Sequence, residues 1–391
     1  HGGVPAGPPA SFRTLPGPGA VLTVAVVGDT GLLGVGQDIA AAALRQIDAP
    51  MTLHLGDLAY PRAEPQLIQE NFFSPLQDVL ARSAVYPTLG NHDMVPENRG
   101  DDQFWRDAFS LPANNPWQDE TFYSFDAGDA HFVAINTMRE QLHTGQADPQ
   151  LDWLAQDLAA TDRRWKIAFF HYSPYSHGRY DGLAVIRERI VPVLEAGGVD
   201  LVLSAHDHNY ERFFPLRGGA VVSREQNPNF VDPAGTVYVV SGGGGGELYD
   251  LRPDGPFAPL AATAAADYHV LRLTVSPTQL GLEAIAQGGR ALDAFTITKG
   301  GPPMISFLRG DANNDGELDI SDAVATLLGL FSGLSICRPA ADVNGSGVND
   351  ISDAVFLLTY LFRQGPPPAP PFPSCSAVAP DQAPGCLNRC R

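Results

Sequence analysis

From residue 21 to residue 299 the chain alternates short apolar runs with stretches that repeat their apolar positions every three or four residues, the rhythm of strands and helices taking turns. Residues 21–27 (VLTVAVV) predict a strand and residues 37–47 a helix; 51–55 predict a second strand, 66–80 an amphipathic helix, and 84–87 a third strand. Residues 122–125 and 131–136, separated by Asp126-Ala127-Gly128-Asp129, predict a hairpin. Helices follow at 151–160 and 183–195, strands at 165–170, 201–204 and 236–240, and a late group of strands at 268–275, 280–286 and 293–298. Strands that alternate with helices belong to the α/β class, which builds its sites at the carboxyl ends of its parallel strands.

Those ends are where the polar chemistry collects. The run MTLHLGDLAY stops abruptly in Gly56-Asp57, with Tyr60 three residues on, and residues 21–27 stop in Gly28-Asp29-Thr30-Gly31. A carboxylate directly after a buried strand is costly unless it meets a cation or hydrogen-bond donors. For one Gly-Asp pair an ordinary turn is the simpler reading. GDTGLLG also faintly resembles a dinucleotide loop, but Asp29 stands where a pyrophosphate would approach. The third strand runs into Thr88-Leu89-Gly90-Asn91-His92-Asp93, a set that would serve equally as a loop cap; strand 165–170 delivers His171, with His177 six residues later, and strand 201–204 delivers Ala205-His206-Asp207-His208. On an extended segment the H-x-H spacing points both imidazoles to one side. His54, His131 and His269 lie within strand patterns and read as core histidines. Five strand ends thus supply Asp29, Asp57, Tyr60, Asn91, His171, His206 and His208. Seven donors exceed the needs of one ion, and carboxylate, phenol and imidazole together suit a pair of first-row transition metals sharing a carboxylate.

Composition narrows the partners. With 391 residues and 44% hydrophobic content the chain has room for one large domain and a small one. A formal net charge of -19 lacks the basic footprint of a nucleic-acid or anionic-membrane binder. No apolar run approaches a membrane span and nothing at the start resembles a signal peptide, while the absence of Met before His1 suggests a processed chain. Residues 1–20 are rich in Gly and Pro. Cys337, Cys375, Cys386 and Cys390 all fall near the end, which predicts two disulfides and an extracellular, secreted or cell-surface location. A four-cysteine zinc site is the alternative, but paired C-x-x-C spacing is missing.

The succession GDTG, GDLAY, GNHD, a lone strand-end His171 and AHDH resembles the calcineurin-like metallophosphoesterases, and Tyr60, NYER and SGGGG narrow the resemblance to purple acid phosphatases, over about residues 21–299. The resemblance implies a four-layer α/β/β/α sandwich and a dinuclear centre. Asp29, Tyr60 and His208 would hold Fe(III); Asn91, His171 and His206 would hold a divalent iron, zinc or manganese; Asp57 would bridge them and be essential to catalysis. His92 would contact the substrate phosphate, and His92 or His177 would protonate the leaving oxygen. The implied reaction is phosphomonoester hydrolysis by attack of a metal-activated hydroxide. Two positions depart from the family pattern: Ala205 stands where Gly usually precedes H-x-H, and the loop after His171 offers only His177 where further histidines are usual.

After Gly310 the pattern changes. Asp311, Asn313, Asp315, Glu317 and Asp322 recur 31 residues later as Asp342, Asn344, Ser346, Val348 and Asp353, each copy with Gly at its sixth position and an amphipathic helix behind it. Oxygen donors at loop positions 1, 3, 5, 7 and 12 match an EF-hand-like Ca2+ loop. With Asp at position 12 and no full helix ahead of either loop, the pair resembles a dockerin module, which implies a small α-helical domain and a cohesin-like partner or self-assembly. Calcium serving stability alone is the plainer alternative. Residues 366–373 form a polyproline stretch, either a strap over the module or a linker. The expected layout is an N-terminal segment 1–20, a metallophosphoesterase domain 21–300, a dockerin-like domain 301–365 and a Pro/Cys-rich tail 366–391. An extracellular assembly protein that reuses a phosphatase fold is the second functional reading.

Overall fold

The computed structural model describes residues 13–94, 103–139, 142, 144–224, 228–300, 305–370, 372–378 and 384–386. Most of the Gly/Pro-rich start and Cys390 lie outside them. The chain divides into two compact units, His1–Lys299 and Gly300–Arg391.

The first unit holds two seven-stranded sheets. One runs in the order Asn229–Val231, Ala291–Thr298, Gln279–Ala286, His269–Val275, Leu22–Val27, Met51–His54, Ala84–Pro87. The other runs Ala261–Ala265, Tyr210–Phe213, Val237–Ser241, Leu201–Ala205, Trp165–Tyr172, Ala130–Ala134, Tyr123–Ala127. Alternate residues of the second sheet part company, as the period of two requires. Phe132, Ile167, Phe169, Leu201, Leu203 and Val239 enter one core with the first sheet and the helix Val35–Ile47. Val133, Ala168, Phe170, Val202, Tyr238 and Val240 enter a second core with the helices Pro149–Ala160, Ala184–Arg189 and Val191–Ala196. The result is helix, sheet, sheet, helix, the four-layer sandwich expected.

Parallel register aligns the strand ends. His54 lies beside Val27 and beside Pro87, so the loops carrying Asp29, Asp57 and Asn91 leave side by side. In the facing sheet Tyr172 lies beside Ala205 and Val240 beside Ser204, which brings out the His171, His206 and Ser241 loops together.

Two helices predicted as continuous are broken. Residues 66–80 form a helix Pro65–Ile68, a π-helical turn Gln69–Phe73 and a helix Ser74–Leu80. Pro75 has no N–H for the Asn71 carbonyl, and Ser74 bonds back five residues to Gln69. Likewise Pro192 splits 183–195 into Ala184–Arg189 and Val191–Ala196. The strand Tyr210–Phe213 gave no sequence signal, because Glu211 and Arg212 interrupt its apolar pattern. Both charges are buried, Glu211 near Ser176 and His177, Arg212 on Asp293.

The second unit contains the helices Ile320–Ser332, Arg338–Ala341 and Ile351–Arg363 and a two-stranded ribbon, Ile305–Phe307 with Ser376–Val378. Cys337 is bonded to Cys386, and Cys375 is also disulfide-bonded. The proline-rich stretch packs back on its own unit: Ala369 N–H donates to the Val343 carbonyl and Phe372 meets the Tyr360 ring edge-on. No helix among the described residues is long and apolar enough to cross a membrane.

The three strand histidines are internal. His54 bonds Thr30, His269 bonds Ser241 and the Asp267 carbonyl, and His131 sits between two carboxylates, each ring nitrogen 2.8 Å from an oxygen of Asp126 or Asp157. Burial alone would lower the pKa of His131, but the two carboxylates outweigh it and raise it. A raised folded-state pKa contributes stability that is complete below the unfolded value of about 6.5 and is lost as pH climbs through the folded value. The melting temperature of the wild type should therefore exceed that of His131→Gln most at pH 6 and progressively less toward pH 9. A constant gap would contradict this.

Candidate metal centre

Three of the candidate ligands are held in the left-handed backbone region, Asp29 at φ 54°, Asp57 at φ 58° and His206 at φ 72°. Non-glycine residues adopt it at a cost and keep it where surrounding bonds over-determine them. The bonds are present. Asp29 N–H donates to the Gly56 carbonyl, and Asp29 Oδ2 accepts the His206 N–H at 3.0 Å. Asp57 Oδ1 accepts the His92 N–H at 2.8 Å. Buried Asp93 accepts the N–H groups of Asp57, Leu58 and Gly90, each at 2.8 Å, and so ties the second strand's loop to the third's.

The side chains then meet. The Tyr60 hydroxyl lies 3.1 Å from each of Asp29 Oδ1, Asp57 Oδ2 and His208 Nε2. His171 Nε2 lies 3.0 Å from Asn91 Oδ1 and 3.4 Å from Asp57 Oδ2. Asp29, Asp57 and His171 each offer a ligand atom within 4.8 Å of the others, the one such group of His, Cys, Asp or Glu among the described residues. His206 is half-buried with its ring 5.1 Å from that of His171. Proton accounting shows what the cluster suits. His171 Nδ1 and His208 Nδ1 face the carbonyls of Leu55 and Glu247, which only accept, so both Nδ1 atoms carry their hydrogens outward. With the rings neutral, as ligands are, both Nε2 lone pairs face carboxylate, amide and phenol oxygens. Acceptors packed against acceptors with one phenolic proton among them fit a cation, and the outward Nδ1–H bonds are those that fix ligating histidines.

Burial works against charge on His171, yet Asp57 raises it to about 9, so a proton on this ring meets the same demand for positive charge that a cation would. Burial and then His171 lower His206 to about 3, which keeps it neutral. Burial, then Asp29 and Asp57, push the Tyr60 phenol well above its usual range.

The extended geometry expected for H-x-H is not found: the strand ends at Ala205 and His206 turns left-handed, so the two rings reach the cluster by a bend. His177 sits apart. It is buried with Nδ1 2.6 Å from Glu211 Oε2, and its N–H donates to the same oxygen at 2.9 Å. His92 is half-buried, 4.6 Å ring to ring from Tyr60, with Nδ1 on the Pro61 carbonyl. Sequence reading missed the residues around the mouth. Tyr180 stacks on His206 at 4.5 Å, Tyr249 stacks on His208 at 4.2 Å, and Arg179 lies 4.9 Å from the Tyr249 ring. Asp93 was also missed, although its place two residues after Asn91 could have marked it as a cap for that turn.

In the C-terminal unit the two loops repeat each other. Asp322 accepts the N–H groups of Asn313 and Asp319, and Asp353 those of Asn344 and Asp350. Asp311 accepts from Asp315 and Gly316, and Asp342 accepts from Gly347. Asn313 accepts from Asp315, and Asn344 from Ser346. Asp315 accepts the Glu317 N–H and Ser346 that of Val348. Asp342 also faces the Arg309 guanidinium at 3.2 Å, whereas among the described residues the first loop's Asp311 forms no ion pair.

Comparison with known proteins places the fold. The family model of calcineurin-like phosphoesterases matches residues 22–210. Acid phosphatase type 7 of Homo sapiens is 29% identical over 272 residues, 63% of this chain and 60% of that protein. Purple acid phosphatase 23 of Arabidopsis thaliana is 29% identical over 269 residues, 60% of this chain and 56% of that protein. A purple acid phosphatase isolated from yellow lupin (Lupinus luteus) seeds superposes with a TM-score of 0.67 at 23% identity, over 74% of this chain and 56% of its own. The chain thus spans less than two thirds of the length of each.

Gly90 is where this geometry is most sensitive. A Cβ added there would lie 2.1 Å from Asp57 Oδ1 and 2.4 Å from the Asp57 nitrogen. Gly90→Ala should halve the bound metal per chain or worse, read by elemental analysis, with the circular dichroism spectrum retained. Gly17→Ala, with open space at its Cβ, should leave metal content unchanged.

Proposed function

We propose that this chain, whose residues 22–210 match the family model of calcineurin-like phosphoesterases and which is similar to purple acid phosphatases, hydrolyses phosphomonoesters at a dinuclear centre. One observation carries the reading: donors from separate loops face one another around the Tyr60 hydroxyl with too few protons to share. Asp29, Tyr60 and His208 are assigned to Fe(III), a hard ion suited to carboxylate and phenol oxygens, and the Tyr60 hydroxyl lies 3.1 Å from the other two. Asn91, His171 and His206 are assigned to a divalent iron, zinc or manganese, and Asp57, within reach of both Tyr60 and His171, to the bridge. A bound pair of cations would supply Lewis acidity toward phosphate oxygens and a lowered pKa for water.

The chain's own contribution is orientation and a proton. Asp57 is oriented from behind by the His92 N–H, and Asp29 by the His206 N–H. With Nδ1–H on the Pro61 carbonyl, the His92 ring keeps Nε2 free to hold a proton for the departing oxygen. The acid role is assigned to His92, whose ring lies 4.6 Å from that of Tyr60. The disulfide-bonded C-terminal unit favours an extracellular or cell-surface setting.

The repeated loops support two calcium sites, Asp311, Asn313, Asp315, Glu317 and Asp322 in the first and Asp342, Asn344, Ser346, Val348 and Asp353 in the second, with the second weaker because Arg309 competes at Asp342. Ile320, Val324 and Phe331 are exposed on one helix and their repeat equivalents Ile351, Val355 and Phe362 on the other, a duplicated apolar face that favours a cohesin-like partner or a second copy.

Asp57→Asn should lower turnover of p-nitrophenyl phosphate roughly 100-fold or more, with loss of bound metal. Full turnover with both metals retained would refute the assignment. Added Ca2+ should raise the melting temperature of the full chain, and an Asp322→Asn/Asp353→Asn double variant should not respond; equal responses would remove the calcium reading.

A further inference from the structure

The two imidazoles of the H-x-H bend are held by different means. His208 is fixed by main chain: its Nδ1–H donates to the Glu247 carbonyl at 2.7 Å, and its own carbonyl accepts the Tyr249 N–H at 3.0 Å. His171 is fixed in the same way by the Leu55 carbonyl at 2.9 Å. Among the described residues no hydrogen bond reaches the ring of His206, whose backbone N–H is bonded to Asp29. Other rings bound it instead. Tyr180 stacks on it at 4.5 Å with an interplanar angle of 22°, Tyr172 meets it edge-on at 4.6 Å and 79°, and the His171 ring stands 5.1 Å away. Tyr172 belongs to the strand Trp165–Tyr172, whereas Tyr180 lies on a loop and is 44% exposed.

That loop is tied where it presents the ring. Buried Asp207, between the two histidines, accepts the Tyr180 N–H at 3.2 Å and the Arg179 N–H at 2.7 Å through one oxygen. Arg252 spans the same loop, its N–H on the His177 carbonyl and its Nε on the Gly178 carbonyl. One residue of the bend thus carries the His206 ring and the next anchors the ring that covers it. A histidine that binds a metal loses the freedom of two side-chain torsions unless a neighbour has already fixed them. A hydrogen bond does this for His171 and His208, and ring contacts must do it for His206. Resting on the dinuclear reading, we propose that Tyr180 is the positioning residue for His206. Its stacked ring takes the place of the missing outer hydrogen bond and sets the metal affinity of the half of the centre assigned to Asn91, His171 and His206. Tyr249 has no such part, since the His208 ring it covers is already held by the Glu247 carbonyl.

The test uses the full chain loaded with iron and Zn2+, dialysed against rising concentrations of a chelator, with both metals counted per chain by elemental analysis. Tyr180→Ala should release Zn2+ at a roughly 10-fold lower chelator concentration than the wild type. It should keep its iron, read also by the absorption band of the Tyr60–iron pair. Tyr180→Phe, which restores the ring without the hydroxyl, should release Zn2+ with the wild type, and so should Tyr249→Ala. Because the Tyr180 ring is 44% exposed, the melting temperature of the metal-free chain should stay the same in Tyr180→Ala. Zn2+ held as tightly by Tyr180→Ala as by the wild type overturns the proposal. So does parallel loss of iron, a lowered metal-free melting temperature, or a Tyr180→Phe chain that behaves like Tyr180→Ala. A wild type that takes up no second metal would instead overturn the dinuclear reading, and this proposal with it.

Discussion

Too many acceptors in too small a space is the condition on which the first unit is built. Carboxylates from two loops, an amide oxygen, a phenol oxygen and the lone pairs of two imidazoles converge within hydrogen-bond range of one another. In a cation-free interior such a group repels itself, and each buried carboxylate lacks the solvation it had in water. The fold opposes this from behind. Backbone N–H groups of His92 and His206 point at the carboxylates, and the carbonyls of Leu55 and Glu247 take the imidazole hydrogens. Every one of these partners is main chain, so the cluster cannot relax without moving a strand end.

This explains why local backbone strain gathers at Asp29, Asp57 and His206. A side chain leaving a strand in ordinary extended geometry continues along the sheet. Turning left-handed immediately after the strand sends it across the strand ends toward the facing sheet. Glycines make the space: a Cβ on Gly242 would lie 2.7 Å from Asp29 Oδ2, and one on Gly246 2.5 Å from the His208 ring. The same logic answers the departure at Ala205. A Cβ on Gly28 would lie 2.8 Å from the Ala205 Cβ, so the methyl group absent at Gly28 is the room that Ala205 occupies.

Much of the scaffold was legible because buried parallel strands and amphipathic helices carry strong periodicity, while the four layers came from the family resemblance. What the pattern hid was decided by single residues acting at a distance. Pro75 and Pro192 broke helices whose apolar period ran on through them. The strand Tyr210–Phe213 was masked by Glu211 and Arg212, whose partners Ser176 and Asp293 lie 35 and 81 residues away. The candidate ligands were found by their motifs, but the geometric argument offered for His206 and His208 failed. The mouth residues Arg179, Tyr180 and Tyr249 carry no motif, since their role depends on which ring they touch. His177 was named for its type and its loop; its Nδ1 lies 2.6 Å from a carboxylate oxygen of Glu211, thirty-four residues on.

The two kinds of oxygen-rich site in this chain differ in what they demand of the fold. In the C-terminal unit each loop closes on itself within twelve residues. Asp322 caps its own helix and reaches back to Asn313, and Asp353 does the same for Asn344, so turn chemistry sets much of the shape. Such a site is readable from spacing and survives duplication. The first unit's cluster spans Asp29 to His208, and no two of its loops are placed without the sheets between them. Its formation therefore waits on long-range pairing, whereas the loops of the second unit draw first on their own turns and the helices they start. A single chain thus holds one acceptor cluster that depends on its topology and two that depend on local sequence, and damage to a strand end should reach the first while leaving the others intact.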